Sequence, residues 1–264
     1  MCLILLGWKV HPDWRLAVAA NRDEFRERPA APLGWWADAP DVLAGRDLRG
    51  GGTWMGVDRS GRFAALTNYR DPAAVRPDAP SRGELVSGFL TSRTPIAEWM
   101  DTTARNADAY NGFNLLAADG EELWYFGNRT EDGPRRLSPG IYGLSNRFLD
   151  TPWPKVERSR AAFRAAISEG RADPEALFRL LADRRRPPDA ELPDTGVGLE
   201  FERLLSSPFI VGADYGTRAS SVVRIRRDGT GEFLEREFRP ENGNIRIAET
   251  RRMEIRPAES PRNP

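Results

Sequence analysis

Cys2 is the only cysteine among 264 residues, and it directly follows the initiator methionine. Because an initiator methionine before a small residue is usually removed, we expect the mature chain to begin with Cys2 and to carry a thiol beside a free α-amino group. The thiolate is the reactive form of cysteine, and an α-amino group titrates at about 7.7–8.0, close to the pH that suits a general base. The pair can be a nucleophile and its own base; the alternative is a small buried cysteine on a strand.

A second polar cluster, Asn21-Arg22-Asp23, stands where an apolar run ends at Ala20. If this segment pairs with a strand that begins at Cys2, the hairpin returns the cluster to the start of the chain. Asp23 can then hold a protonated amine, and Arg22 can favour the thiolate through its charge. The alternative is a solvated strand end.

Three further side chains could take part in chemistry at strand ends. Asn68 and Asn146 follow apolar runs, and asparagine can donate hydrogen bonds to a developing oxyanion, although it is also a common turn residue. Arg218 lies in the segment 215–221, which is rich in hydroxyl groups, and can bind a carboxylate or phosphate in a bidentate way. The alternative for that segment is an ordinary loop.

The composition excludes several classes of site. With one cysteine and one histidine, His11, neither a disulfide framework nor a tetrahedral zinc site of His and Cys ligands can be assembled, so no metal site is expected. The 39 basic residues equal the 39 acidic ones, which argues against nucleic acid as a main partner. No run approaches the ~20 apolar residues of a membrane span, and no signal sequence is recognisable, so the cytoplasm is the expected compartment.

Hydrophobic periodicity and turn residues predict alternating blocks of strands and helices. Ser81 followed by Glu84 predicts a capping box, and Thr94-Pro95 predicts an N-cap with proline at the first helical position. Strands joined by hairpins favour antiparallel sheets with helices packed outside, in one domain over residues 1–264. The strands are predicted at 2–9, 15–20, 53–58, 62–68, 113–118, 123–127, 140–145, 219–226, 231–238 and 245–255, and the helices at 81–90, 94–105, 154–169, 174–183 and 199–206.

Nine ordered motifs together resemble the NRDE family, named for the tetrapeptide that stands here at 21–24, and make the chain similar to the eukaryotic Transport and Golgi organization proteins. The resemblance covers nearly the whole chain. The motifs are Met1-Cys2-Leu3-Ile4, Ala19-Ala20-Asn21-Arg22-Asp23-Glu24-Phe25, Gly51-Gly52-Thr53-Trp54, Ala65-Leu66-Thr67-Asn68-Tyr69, Arg82-Gly83-Glu84-Leu85-Val86, Tyr110-Asn111-Gly112-Phe113-Asn114, Tyr142-Gly143-Leu144-Ser145-Asn146, Thr151-Pro152-Trp153-Pro154-Lys155 and Tyr215-Gly216-Thr217-Arg218.

The NRDE family in turn resembles the N-terminal-nucleophile (Ntn) hydrolases. This resemblance implies an α+β fold, a four-layer αββα sandwich of two mainly antiparallel sheets. It also implies catalytic roles by motif: Cys2 as the nucleophile, Asp23 as the contact of the amine, Asn68 and Asn146 as the oxyanion-binding and amine-binding asparagines, and Arg218 as the late arginine.

The same resemblance leads us to expect substrate contacts from Asn21, Arg22, Tyr69 and Arg224. Arg224 competes with Arg218 for the position of the late arginine, because the Ntn branch places that residue just after a Ser-Ser pair. The branch also places its early arginine a few residues before the aspartate, whereas Arg22 directly precedes Asp23 here. The role of the early arginine is therefore open.

Two functions compete at this point. The first is an amidohydrolase, in which Cys2 attacks an acyl carbonyl of an acyl amide or thioester without a cofactor. The second is a carrier without catalysis, since family members are connected with haem trafficking and with acyl-CoA or lipid handling. His11 and Cys2 are single candidates for haem ligation, and either ligand is implied by the resemblance alone.

Overall fold

The computed structural model describes residues 2–170, 172–241 and 244–256, so Met1, whose removal the expected chemistry requires, lies outside them. Within these residues one sheet has six strands, which are β1 (Cys2–Trp8), β2 (Trp14–Phe25), β10 (Gly140–Leu144), β11 (Tyr215–Arg226), β12 (Gly231–Glu241) and β13 (Asn244–Ile255). Their spatial order is β10-β1-β2-β11-β12-β13, and every neighbouring pair is antiparallel. β1 and β2 are thus central strands of this sheet.

The other sheet follows the chain order from β3 to β9 and is also antiparallel. Each strand therefore pairs with the next one along the chain, as in a meander. The strands are β3 (Ala30–Trp35), β4 (Val42–Asp47), β5 (Met55–Asp58), β6 (Phe63–Asn68), β7 (Phe113–Ala118), β8 (Leu123–Gly127) and β9 (Arg135–Arg136).

Helices cover the outer face of each sheet. The helices are α1 (Gly83–Thr91), α2 (Ile96–Arg105), α3 (Pro154–Ser168), α4 (Pro174–Leu181) and α5 (Leu199–Leu205). α1 and α2 pack on the meander sheet, and α3 and α4 pack on the sheet that contains β1. This arrangement confirms the predicted α+β sandwich of layers αββα.

Side chains of β1 alternate between two cores, as the period of a strand requires. Ile4 and Leu6 pack in the core between the two sheets, whereas Leu3 and Leu5 pack against α3 and α4. Because Cys2 has the parity of Ile4, its side chain belongs to the space between the sheets. No helix in the described part of the chain is long and apolar enough to cross a membrane.

Three strands, β3, β4 and β9, were not predicted, and β2, β11 and β12 are longer than predicted. The Ala, Pro, Gly, Arg and Asp residues of β3 and β4 have low strand propensity, and β9 has only two residues. β2 continues past Ala20 to Phe25, and β11 begins at Tyr215 instead of 219, because these polar ends pair with each other. The interpretation of 215–221 as a loop was therefore wrong.

The predicted helix caps were also wrong in detail. α1 begins at Gly83 after Arg82, without a side-chain cap, so the Ser81–Glu84 capping box does not form. α2 begins at Ile96, and Pro95 takes the N-cap position that was predicted for Thr94. Both helices still start within about two residues of the prediction, which is the usual uncertainty of helix ends.

Candidate active site

Three strands bring the start of the chain to the polar cluster. Cys2 pairs with Arg22 across β1 and β2, and Asp23 pairs with Thr217 across β2 and β11. The predicted hairpin between the segments of Cys2 and Asn21-Arg22-Asp23 is therefore confirmed. The polar end of β2 pairs with β11 along its whole length and with β1 as far as Arg22, which is why it stays extended despite its composition.

A large cavity opens beside Cys2. Its volume is about 920 Å3, and its lining includes Cys2, Arg22, Asp23, Asn68 and Arg218. Cys2 itself is 8% exposed, so the thiol contacts the cavity from a nearly buried position. A small molecule that fills the cavity can therefore reach the thiol.

Asp23 lies fully inside the protein, 2% exposed. Thr217 Oγ1 donates a hydrogen bond to Asp23 Oδ1 at 2.7 Å, and the hydroxyl of Tyr215 donates to the Asp23 carbonyl oxygen at 3.0 Å. These contacts fix the carboxylate at the end of β1 where the amino terminus begins. The site thus has an acidic group in the position expected for a contact of the α-amine.

Burial sets the protonation of both groups. It raises the pKa of the Cys2 thiol, while the positive amino terminus, a backbone N–H of Asp23 and Arg22 favour the thiolate. Burial also raises the pKa of Asp23 to about 6, against the opposing charges of the amino terminus and Lys155. Burial thus disfavours the thiolate of Cys2, and Asp23 becomes ionised as the pH passes through about 6.

Asn68 and Asn146 lie close together at the ends of β6 and β10. The Asn146 amide donates to the Asn68 carbonyl oxygen at 3.0 Å. The Ser145 hydroxyl can donate its one hydrogen to the Cys2 carbonyl oxygen, at 3.0 Å, or to Asn146 Oδ1, at 3.2 Å. Asn68 lines the cavity, whereas Asn146 is fully buried and does not. Asn146 therefore positions Asn68 and Cys2 relative to each other, and only Asn68 faces the cavity.

A β-bulge determines which of the two candidate late arginines, Arg218 or Arg224, lines the cavity. The register of β2 and β11 shifts between Thr217 and Ala219, so Arg218 is an extra residue on the bulged strand and lines the cavity. Arg224 lies further along β11, where Nε donates to Glu232 at 2.7 Å and Nη1 donates to the Ala172 carbonyl oxygen at 2.9 Å. The structure therefore brings Arg218, and not Arg224, to the cavity that Cys2 lines.

Asn21 and Tyr69 also lie away from the cavity. The Asn21 amide is fully buried, donates to the carbonyl oxygens of Leu181 and Pro208 at 2.9 and 2.8 Å, and accepts from Ser220. Tyr69 packs against Phe148, with ring centroids 5.2 Å apart. The expectation that Asn21, Tyr69 and Arg224 contact substrate therefore requires correction: period-two alternation turns Asn21 toward the helices, and Arg22 alone of this set lines the cavity.

A buried group of charges, which was not predicted, lies behind the site. Lys155, at the start of α3, is 3% exposed, and its Nζ donates to the Leu205 carbonyl oxygen at 3.0 Å. Burial and the charge of Arg70 lower the pKa of Lys155 to about 8, while Asp23 and Cys2 favour its charged form. Arg70 and Glu202 form a buried ion pair at 2.6 Å beside it. Two signals in the sequence pointed to Lys155: lysine occurs only twice, and Lys155 ends one of the nine family motifs.

This arrangement has the parts for acyl transfer. A thiol lies at the edge of a cavity, a carboxylate lies where the amine of a trimmed chain would begin, and an asparagine lies on the cavity wall. His11, by contrast, lies at the far end of β1, about 20 Å away along the extended strand. Cys2 and His11 therefore cannot both ligate one haem iron.

Comparisons with known proteins agree with this fold. The family model described as Transport and Golgi organisation 2 matches residues 1–240. The chain is 40% identical to a Transport and Golgi organization protein 2 homolog of Bos taurus and 36% identical to the Homo sapiens homolog, each over 89% of this chain and 92% of the relative. Among solved structures, a mutant conjugated bile acid hydrolase from Clostridium perfringens superposes with a TM-score of 0.53 over 96% of both chains at 10% identity. That likeness concerns the fold alone.

Proposed function

We propose that this chain, which belongs to the Transport and Golgi organisation 2 family, is a cytoplasmic cysteine hydrolase that cleaves an amide or acyl-thioester bond with Cys2 after removal of Met1. The observation that carries the proposal is the place of Cys2, paired with Arg22, next to Asp23 and on the wall of a cavity of about 920 Å3. The fold likeness to a conjugated bile acid hydrolase supports hydrolysis as the reaction class.

The reaction proceeds in two steps. The α-amine of Cys2 takes the thiol proton, and sulfur attacks the acyl carbonyl carbon, with the developing oxyanion stabilised by Asn68. The amine returns the proton to the leaving group as the carbon–nitrogen or carbon–sulfur bond breaks, which leaves an acyl thioester on Cys2. Water, deprotonated by the same amine, then releases the acid and restores the thiol.

Asp23 supports the amine in both steps. Its ionised carboxylate stabilises the ammonium that forms when the thiol loses its proton. Arg22 stabilises the thiolate by charge, and Arg218 binds the substrate from the bulge. Each residue thus acts from the position in which the strands hold it.

A panel of acyl amides and acyl thioesters tests the proposal. Wild-type protein should hydrolyse at least one compound, and Cys2→Ala should lose that activity completely. Ser81→Ala is the matched control, because Ser81 presents the hydroxyl of another nucleophilic residue to the same cavity and should be dispensable. Hydrolysis that survives in Cys2→Ala would contradict the proposal.

The second candidate is a carrier that binds acyl-CoA or haem on the same scaffold without turnover. The arginines on the cavity wall favour it, since both ligands carry anionic groups. Under this alternative, wild type and Cys2→Ala bind acyl-CoA equally and neither releases the acid. For haem, titration of wild type, Cys2→Ala and His11→Ala by absorbance distinguishes ligation from adsorption.

A further inference from the structure

Two glycine-containing motifs that have no role in the proposed reaction contact each other closely through Gly52 and Gly83. A Cβ on Gly52 would lie 2.4 Å from the Gly83 carbonyl carbon and 2.8 Å from the Glu84 nitrogen. These are backbone atoms and cannot move aside, so a residue larger than glycine does not fit at position 52. The N–H of Thr53 donates to the Gly83 carbonyl oxygen at 3.3 Å. The contact fixes the start of α1 against the loop that precedes β5.

Arg82 is the residue that this contact places at the cavity. It directly precedes α1, lines the cavity together with Cys2, and is half-buried. Its Nη1 donates to the Gly112 carbonyl oxygen at 3.0 Å, and its charge interacts with Cys2. Within the described residues, Arg82 forms no ion pair at all.

Two other guanidinium groups face the same space. Arg218 Nη1 donates to the carbonyl oxygens of Phe25, at 3.1 Å, and Arg28, and has no carboxylate partner among the described residues. Arg22 has only a distant partner, Glu24, at 3.7 Å. Arg22 and Arg218 therefore repel each other beside the thiol, and this repulsion is relieved by an anion.

Glu24 is the cavity-wall carboxylate that acts on all three arginines: it lies 3.7 Å from Arg22, and its charge also acts on Arg82 and Arg218. Four other carboxylates of the wall have closer partners elsewhere. Those partners are Arg28 for Asp47 at 2.6 Å, the Leu33 N–H for Glu235 at 2.8 Å, Arg251 for Glu249 at 3.0 Å and Arg239 for Glu237 at 3.1 Å. Among the described residues, the three guanidinium groups therefore share one loose ion pair, that of Arg22 with Glu24.

We propose that Arg22, Arg82 and Arg218 form an anion-binding subsite beside Cys2, and that its ligand carries a carboxylate or phosphate group close to the reactive acyl carbon. The statement that the ligand has a reactive acyl carbon rests on the proposed function, whereas the presence of the anion-binding subsite does not. Guanidinium groups match both oxyanions in a bidentate way, and Arg82 takes part because the Gly52–Gly83 contact holds it there.

Alkylation of the single cysteine tests the subsite directly. The second-order rates for anionic iodoacetate and neutral iodoacetamide are measured at one pH, and their ratio cancels any change in thiolate content. Arg82→Gln and Arg218→Gln should each lower this ratio about five-fold, the worth of one charge-assisted contact. Arg46→Gln is the matched control, because Arg46 lines the same cavity but is paired with Asp38 at 2.6 Å, and should leave the ratio unchanged.

Ratios equal to wild type in both folded variants, Arg82→Gln and Arg218→Gln, would overturn the subsite. Competition then identifies the oxyanion. Pyrophosphate should slow the alkylation of Cys2 by iodoacetamide if the ligand carries a phosphate, and malonate should slow it if the ligand carries a carboxylate. Protection by neither at millimolar concentration also contradicts the proposal. If no hydrolysis is detected but Arg82→Gln and Arg218→Gln still lower the ratio of alkylation rates, the subsite proposal stands and only the hydrolase proposal fails.

Discussion

The two ends of the three-strand unit β1–β2–β11 both contain charged residues, but the ends differ in how these residues are paired. At the turn end, Arg224 bonds Glu232 and the Ala172 carbonyl oxygen, and its guanidinium stacks on Trp14 at 4.4 Å. His11 there accepts hydrogen bonds from the backbone N–H groups of Asp13 and Trp14 at 3.1 and 3.3 Å. Every one of these groups has a local partner, and none lines the cavity.

At the Cys2 end the charges are less completely matched. Asp23 and Lys155 are buried with pKa values displaced toward neutrality, and the arginines around the thiol face the cavity. Charges that are neutralised locally stabilise a fold, whereas buried charges with displaced pKa values are typical of functional sites. The comparison therefore locates function at one end of a strand unit and structure at the other.

The largest expected effect is that of Asp23→Asn on hydrolysis. Because the neutral amide cannot stabilise the ammonium, kcat/KM should fall about 100-fold or more. In wild type the rate should rise as the pH passes through about 6, where Asp23 ionises, and the variant should lack this rise. Rate–pH profiles of both proteins on the same acyl donor measure the two effects.

Asp58→Asn is the control for that comparison. Asp58 is also buried and accepts hydrogen bonds from the backbone of Ser60 and Arg62 at 2.9 Å, but it is the last residue of β5, before the turn to β6. The Asp58→Asn substitution should lower the melting temperature but leave the rate–pH profile the same as that of wild type. Equal rate losses in both variants would mean that Asp23 has only a structural role.

An intermediate effect is expected on stability from Lys155→Met. The pKa of Lys155 in the folded protein, about 8, lies below its ordinary 10.5, so between these values the unfolded chain binds more protons and the free energy of unfolding rises with pH. Wild type should therefore gain about 3 kcal/mol relative to Lys155→Met between pH 7 and 11.

Denaturant titrations at several pH values measure this difference. Lys9→Met, at the other lysine of the chain, should follow wild type, since Lys9 lies at the surface with Glu121 at 3.6 Å. A constant offset between wild type and Lys155→Met across this pH range would show that the buried lysine does not titrate there.

The smallest effect is expected at the opposite end of the strands. Arg224→Met removes the cation that pairs with buried Glu232, although Arg252 remains 2.7 Å from that carboxylate. The free energy of unfolding should fall by about 2 kcal/mol, while kcat/KM stays within about two-fold of wild type. A large loss of activity in a folded Arg224→Met protein would erase the distinction between the two ends.

The sequence was sufficient for the hairpin that places Asp23 beside Cys2, because apolar runs and turn residues define both strands. The family motifs added the layered fold and Asn68 on the cavity wall. These features depend on local pattern, which a chain displays directly. They account for the sandwich and for the center of the site.

Other features depend on partners that are distant in the chain. Whether Arg218 or Arg224 reaches the cavity is decided by a β-bulge opposite β2, and no pattern in β11 reveals that bulge. Asn21 faces the helices because of its strand parity, which the motif hides. The pKa of Lys155 is lowered by burial and by the nearby charge of Arg70, and both conditions arise only when the chain folds.

Intact-mass spectrometry tests the central claim, that Cys2 with a free α-amine forms an acyl-enzyme, most directly. The purified protein is weighed before and after a brief reaction with an acyl donor that it hydrolyses, and the modified peptide is sequenced. The account predicts a mass without Met1 and one added acyl group on Cys2. A protein that retains Met1 and still hydrolyses the donor, or an acyl group on another residue, would contradict it.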